Sequence, residues 1–251
     1  MNDADYNKIE PTESAPHRLP DRVSVLIVTA VEAEREAVLR GLANAGSTAN
    51  PRFEVIAAGV GPAYAAASTA AALARAEYDL VMSAGIGGGF PGIAPIGSLV
   101  LADAIVAADL GAETAEGQLT LDELGFGTSR APVSDEWTDR MARALETAGL
   151  VFARGPILTV SLATGRGETA RLRERLVPGA AAEGMEGYGV AIAATQFGVA
   201  CAELRAISNV VGPRDRSAWR IGDALKALEE ASRAIAGAWS GKADPAESDH
   251  H

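Results

Sequence analysis

The strongest constraint in this sequence is an alternation between two kinds of segment. Short, unbroken apolar runs stand at Val23–Thr29 (VSVLIVT), Phe53–Ala57, Asp79–Ser83, Ser98–Val106, Pro156–Ser161 and Val199–Ile207 (VACAELRAI). Helical patterns separate them: one running to Leu42, then Pro62–Arg75, Ser134–Ala148, Arg166–Leu176, Glu186–Gln196 and the amphipathic Ser217–Trp239. A strand that is apolar on both sides must be covered on both sides, and alternation with helices supplies the cover. The expected fold is therefore α/β, a single-domain three-layer α/β/α sandwich around a mostly parallel, mixed, twisted sheet. The domain is expected over residues 23–239, between a flexible leader (1–22, with Pro11, Pro16 and Pro20) and a flexible tail (240–251). No run of about 18 apolar residues occurs, so no membrane span is expected, and the leader lacks the apolar stretch of a signal peptide.

Composition narrows the chemistry. With 22 Lys+Arg against 33 Asp+Glu, the net charge of −11 argues against nucleic acid or an anionic membrane as partner. The three histidines, His17, His250 and His251, all lie in the polar ends. Ser–His–Asp catalysis and His-ligated metals are therefore not expected, and no cofactor is implied. The lone cysteine, Cys201, sits in an apolar run and fits a reducing cytoplasm. What remains for chemistry is carboxylates, arginines, amides and backbone.

In parallel sheets ligands gather at the carboxyl ends of the strands. After the first strand comes Thr29-Ala30-Val31-Glu32-Ala33-Glu34-Arg35-Glu36. Thr29 and Glu32 have the spacing of a capping box, and Val31, Val38 and Leu42 define the expected buried stripe. Glu34 lies about 60° from the centre of that stripe, which leaves a boundary carboxylate or a partly desolvated general base open. Gly59-Val60-Gly61 before Pro62 reads as a tight turn into a helix. Ser83-Ala84-Gly85-Ile86-Gly87-Gly88-Gly89-Phe90 reads as a glycine loop after the third strand and is a poor dinucleotide fingerprint. Glu186 heads a helix of small residues, where it serves either the helix dipole or the vicinal hydroxyls of a sugar. Arg205 ends a buried strand and needs a partner, structural or functional. Arg214-Asp215-Arg216 is either a solvated loop or a fork for a carboxylate.

Taken in order, TAVEAERE, AGVGPAYAAA, SAGIGGGF, GSLVLADAIVAADLGAE, EGMEGYGVA and RAISN resemble the purine nucleoside phosphorylase and nucleosidase superfamily, from about Val23 to Leu228. SAGIGGGF, EGMEGYGVA and RAISNVVGPRDRSAW are most similar to the futalosine hydrolase branch, with the methylthioadenosine/S-adenosylhomocysteine nucleosidases as the rival and a non-catalytic nucleoside-binding module of the same fold as the alternative from another class. The resemblance implies a nucleoside phosphorylase-like fold and hydrolysis of futalosine to hypoxanthine and dehypoxanthine futalosine, a step of menaquinone biosynthesis. It implies that Glu34 activates water with help from Arg205, that Met185 and Glu186 bind the ribose, and that Asn209 contacts the purine. Ile86, Gly87 and Phe90 would line the substrate site. Trp219 would line the pocket for the 5′ substituent, with Arg214 and Arg216 candidates for its carboxylate. A homo-oligomer, dimer or higher, is implied in the same way.

Three departures from the adenosine-type pattern carry information. Ile86 stands where a serine is usual, Ala163-Thr164-Gly165 replaces the stretch that normally supplies a stacking aromatic, and Asn209 replaces an aspartate. An amide offers an NH2 donor to O6 as well as a carbonyl acceptor, which suits a 6-oxopurine. The acidic TAVEAERE segment repels phosphate, which favours water as the nucleophile.

Overall fold

The computed structural model describes residues 23–45, 52–115 and 117–240. The expected leader with His17, and the expected tail beyond Ser240 with His250 and His251, lie outside the described residues. In chain order the elements are β1 (Ser24–Thr29), α1 (Glu32–Ala43), β2 (Arg52–Ala57), α2 (Pro62–Leu73), β3 (Leu80–Gly89) and β4 (Leu99–Ala107). A small hairpin of β5 (Gly111–Thr114) and β6 (Gly117–Thr120) follows, then α3 (Leu121–Leu124) and β7 (Arg130–Ala131). The remainder is α4 (Asp135–Thr147), β8 (Phe152–Thr159), α5 (Gly167–Leu176), β9 (Ala182–Gly184), α6 (Gly187–Gln196), β10 (Ala200–Val210) and α7 (Ile221–Ser240).

Strand β3 is the hub of the main sheet. Its first half pairs in parallel with β1, its whole length with β10, and Gly88 and Gly89 pair antiparallel with β9. β10 also pairs antiparallel with β4, β4 runs parallel with β8, and β8 runs parallel with β9. The sequence β3–β10–β4–β8–β9–β3 is thus a closed ring of strands, from which β1 and β2 extend as a wing. The expected mixed, mostly parallel sheet is present, and part of it has closed on itself.

Helices cover both sides, as expected. α1, α4 and α7 pack over Ile27, Met82, Leu101 and Leu204, whereas α2 and α6 pack over Leu26, Val81, Ile105 and Ile157. A third apolar cluster, with Phe90, Val106, Leu158, Val160 and Val211, includes Ala170 of α5.

Two local expectations need correction. The glycine segment read as a loop is strand, because β10 lies along one edge of β3 and β9 takes its far end. Side chains would prevent this: a Cβ at Gly85, Gly87 or Gly88 would approach a neighbouring atom to 2.8 Å or less. The start of α1 also differs. Val31 is 41% exposed, and the buried face is Glu34, Ala37, Val38 and Gly41, because α1 lies against α7 at Gly41. The Thr29–Glu32 box does not form. Thr29 instead donates to the Ile56 carbonyl (3.1 Å), and Glu32 pairs with Arg35 at the surface. Glu34, the third residue of α1, reaches back to accept the N–H groups of Ala30 and Val31.

Candidate active site

Glu34 occupies a gap in the sheet. Along one edge of β3, pairing with β1 ends at Ser83 and pairing with β9 begins at Gly88. Between them, the Ile86 N–H donates to Glu34 Oε1 (2.9 Å). The other oxygen, Oε2, accepts from Ala30 N–H (2.9 Å) and Val31 N–H (3.2 Å). The carboxylate is 3% exposed, and burial raises its pKa against the opposing pull of Arg205 and these three backbone donors. A fixed carboxyl with a raised pKa is a stronger base than a surface one.

Arg205 lies beside it, 1% exposed. Its Nε donates to Glu203 (2.8 Å), Nη1 to Glu186 (3.1 Å) and Nη2 to the Ser83 hydroxyl (3.1 Å). Glu34 and Arg205 converge at Gly85, where a Cβ would stand 2.7 Å from Glu34 Oε1 and 3.0 Å from Arg205 Nη1. Burial works against the arginine's charge, but Glu203, Glu186 and Glu34 together hold its pKa above the ordinary value. One guanidinium thus faces three carboxylates. Glu203 is as buried as Arg205, burial raises its pKa, and its Oε2 has no hydrogen-bond partner.

Glu186 is the N-cap residue of α6, yet its side chain does not cap that helix. Its Oε1 accepts from Gly61 N–H (3.2 Å), and Oε2 from Met185 N–H (3.2 Å) and Arg205. Gly61 has φ 98, a conformation that favours glycine, so the turn before α2 is built to present this N–H. Met185 is half-buried and packs against the third apolar cluster.

The remaining expected residues lie further along the same strands. A register shift at Ser208 sets Asn209 opposite Gly88, three residues beyond Gly85. Its Oδ1 accepts from the Ser208 hydroxyl (2.8 Å) and its Nδ2 donates to the Val210 carbonyl (3.2 Å). The following loop is anchored on both sides of Asn209, by Val211 N–H to Gly89 (2.9 Å) and Arg220 N–H to Ser208 (2.8 Å). It carries Arg214 stacked 5.0 Å over the Trp219 ring, and exposed Arg216. None of the hydrogen bonds among the described residues joins these three to the Glu34–Arg205–Glu186 cluster. Ile86 and Gly87 contribute backbone: the Ile86 carbonyl faces Arg205 (3.4 Å) and the Gly87 carbonyl accepts from Ser208 (3.1 Å). Phe90 is 1% exposed within the third cluster, the one against which Met185 packs.

Sequence reasoning missed Glu203, Ser83 and a second ionic group, in which Arg173 and Glu183 are buried. Glu203 was legible, since strand alternation sets residues 203 and 205 on one face of β10. The second group joins Glu183, Arg173 and Asp109 around the loop after β8. Thr164 donates to Glu183 through its N–H (2.8 Å) and its hydroxyl (2.5 Å), and Arg173 Nε donates to that hydroxyl (3.2 Å). Arg173 lies 3.6 Å from Glu183 and 3.7 Å from Asp109, which accepts from Ser161 N–H (2.8 Å). These partners are scattered over four segments, and no spacing announces them.

With the geometry in place, comparison with known proteins is informative. Residues 29–239 match the phosphorylase superfamily. The chain is 51% identical over 227 residues to futalosine hydrolase from Streptomyces coelicolor, covering 82% of this chain and 92% of that one. It is 47% identical over 225 residues to futalosine hydrolase from Acidothermus cellulolyticus, covering 86% and 92%. Among solved structures, it resembles the 5′-methylthioadenosine/S-adenosylhomocysteine nucleosidase from Neisseria meningitidis in complex with methylthio-immucillin-A. The TM-score is 0.74 at 19% identity, over 85% of this chain and 98% of that one. The native futalosine hydrolase of Helicobacter pylori gives a TM-score of 0.72 at 16% identity, over 85% and 97%. The structural likenesses speak for the fold, and the sequence relatives speak for the branch. The chain belongs to the phosphorylase superfamily and, within it, to the futalosine hydrolase family.

Proposed function

We propose that this protein is a hydrolytic N-glycosidase that cleaves futalosine to hypoxanthine and dehypoxanthine futalosine. The observation that carries the reading is Glu34, a buried carboxylate held by three N–H groups beside Arg205, in a chain of this family. As the C1′–N9 bond stretches, its electron pair moves to the purine and positive charge grows on the ribose. Glu34 orients a water molecule and takes its proton as the oxygen bonds to C1′. Glu186, fixed by Gly61 and Arg205, accepts from the ribose hydroxyls, and Asn209 donates to the purine. The carboxylate excess around Arg205 stabilises positive charge on the sugar and disfavours a phosphate nucleophile, so water fits better than phosphorolysis.

Asn209 also favours a 6-oxopurine over the adenine of the methylthioadenosine-type rival. Among the described residues no helix is long and apolar enough to cross a membrane. A cytoplasmic homo-oligomer acting on a small nucleoside, without nucleic acid or membrane, completes the reading. Trp219, with Arg214 or Arg216, is assigned to the 5′ substituent. The decisive assay follows base release from futalosine, methylthioadenosine and inosine, with and without phosphate. Phosphate-independent hydrolysis of futalosine alone is the expected result. Phosphate dependence would make the chain a phosphorylase, and preference for methylthioadenosine would favour the rival. Sedimentation of the protein reads its oligomeric state.

A further inference from the structure

Glu183 has no part in the chemistry above, yet its position is unusual for a buried carboxylate. It is 7% exposed on β9 and stands directly opposite Gly88 of β3. Asn209 of β10 stands opposite the same glycine from the other side. Residues paired across strands share a face of the sheet, so the two polar side chains flank one glycine on one face. A Cβ at Gly88 would meet Val211 at 2.8 Å and Asn209 Nδ2 at 3.1 Å, so the strip between them must lack a side chain. Two strand spacings, about 10 Å, separate the outer backbones. The Val211 side chain overlies Gly88 on that face, so a flat heterocycle held there would lie against Val211 with a polar partner at each edge. On the side of Glu183 away from Gly88, the row continues through Leu158 and Val106, both buried in the third apolar cluster.

We propose that Glu183 is a specificity-determining residue, whose carboxylate accepts the N1–H of a 6-oxopurine held at its other edge by Asn209. The inference rests on the reading above, in which Asn209 faces the purine. A carboxylate offers about four acceptor sites. The two Thr164 donors occupy two of them, and Arg173 at 3.6 Å supports the charge. Acceptor capacity remains, on a group whose direction is already fixed. Hypoxanthine has a proton on N1 to donate. Adenine has a lone pair there and would face the carboxylate unpaired, which is the situation that gives strong discrimination. The same loop that lacks a stacking aromatic, Ala163-Thr164-Gly165, thus serves recognition by holding Glu183.

The test measures binding of free hypoxanthine and free adenine by calorimetry, together with kcat/KM on futalosine and on its 6-amino analogue. Wild type should prefer the 6-oxo member of each pair. In Glu183→Gln, whose amide can accept from or donate to N1, the preference should shrink by about tenfold or more. Glu183→Asp, which keeps the charge beside Arg173 but withdraws the oxygens, should weaken hypoxanthine binding more than adenine binding. Thr164→Val removes one tether and keeps the carboxylate, so it should reduce the preference for hypoxanthine by less than Glu183→Gln does. If Glu183→Gln and Glu183→Asp lower both bases in equal proportion, or leave the ratio unchanged, Glu183 only fastens the loop and the inference fails. Because base binding needs no hydrolysis, a wild type inactive on futalosine would sink the functional reading without deciding this one.

Discussion

The two ionic groups, one fully buried and one reaching the surface at Asp109, use the same residue types for different ends. Arg205 is rooted in a central strand and surrounded by side-chain carboxylates, with Glu203 Oε2 left without a hydrogen bond. Arg173 is rooted in a helix, and the carboxylates around it direct their oxygens mainly at the N–H and hydroxyl groups of the loop after β8. The first arrangement holds more negative charge than its arginine neutralises, in a place where a ribosyl cation would form. The second turns most of its acceptors to the loop after β8 and fixes it, while Glu183 keeps acceptor capacity for a ligand. A buried Arg–Glu pair therefore says little by itself; what the remaining oxygens face decides its role.

The largest effect should come from Glu34, the proposed base of the first group. Glu34→Gln should lower kcat by about 10²–10⁴-fold while substrate still binds, as single-turnover kinetics and equilibrium binding would report. Wild-type kcat in the variant would remove the basis for separating the two groups. Its pH dependence has a defined sign. Folding raises the Glu34 pKa above the ordinary 4.5, so the base is ionised, and kcat/KM reaches its plateau, only above the raised value. The folded state also binds this proton more tightly than the unfolded chain. Between 4.5 and the raised pKa, stability therefore falls as pH rises, and melting curves should shift in favour of Glu34→Gln across that window.

Next comes the arginine itself. Arg205→Met strands Glu186 and Glu203 in the interior and should cost about 3–5 kcal/mol in denaturant unfolding. Arg205→Lys should not recover the loss, because an ammonium cannot reproduce the separate Nε, Nη1 and Nη2 bonds. Arg173→Met should cost less, about 1–3 kcal/mol, because Glu183 and Asp109 keep their loop donors. Equal losses at the two sites would show that backbone donors do not distinguish them. The smallest effect belongs to the exposed loop. Arg214→Ala removes an exposed cation–π contact worth about 0.5–1 kcal/mol. It should raise KM a few-fold for futalosine and leave inosine unchanged.

Much of this was legible in the chain. The apolar runs located the long strands of the sheet, and Glu34, Glu186, Arg205 and Asn209 stood out because charge or amide at the end of a buried segment needs a reason. Less was legible where the partner is distant. The phase of α1 was set by contact with α7, so Val31 turned outward and Glu34 inward. The glycine segment became strand because β10 pairs along its length and β9, three residues with no pattern of their own, pairs with its end.

The sequence by itself determined the α/β class, the lack of any histidine between residues 23 and 240 and the family to which the chain belongs, because these depend on local pattern and residue identity. Tertiary structure alone decided which carboxylate meets which arginine. Glu34, Gly61, Glu186 and Arg205 come from four segments, and the same is true of Asp109, Thr164, Arg173 and Glu183. Burial removes water as an alternative partner for most of these groups, so their hydrogen bonds, and the raised pKa of Glu34, Glu183 and Arg205, exist only once the ring of strands has brought them together.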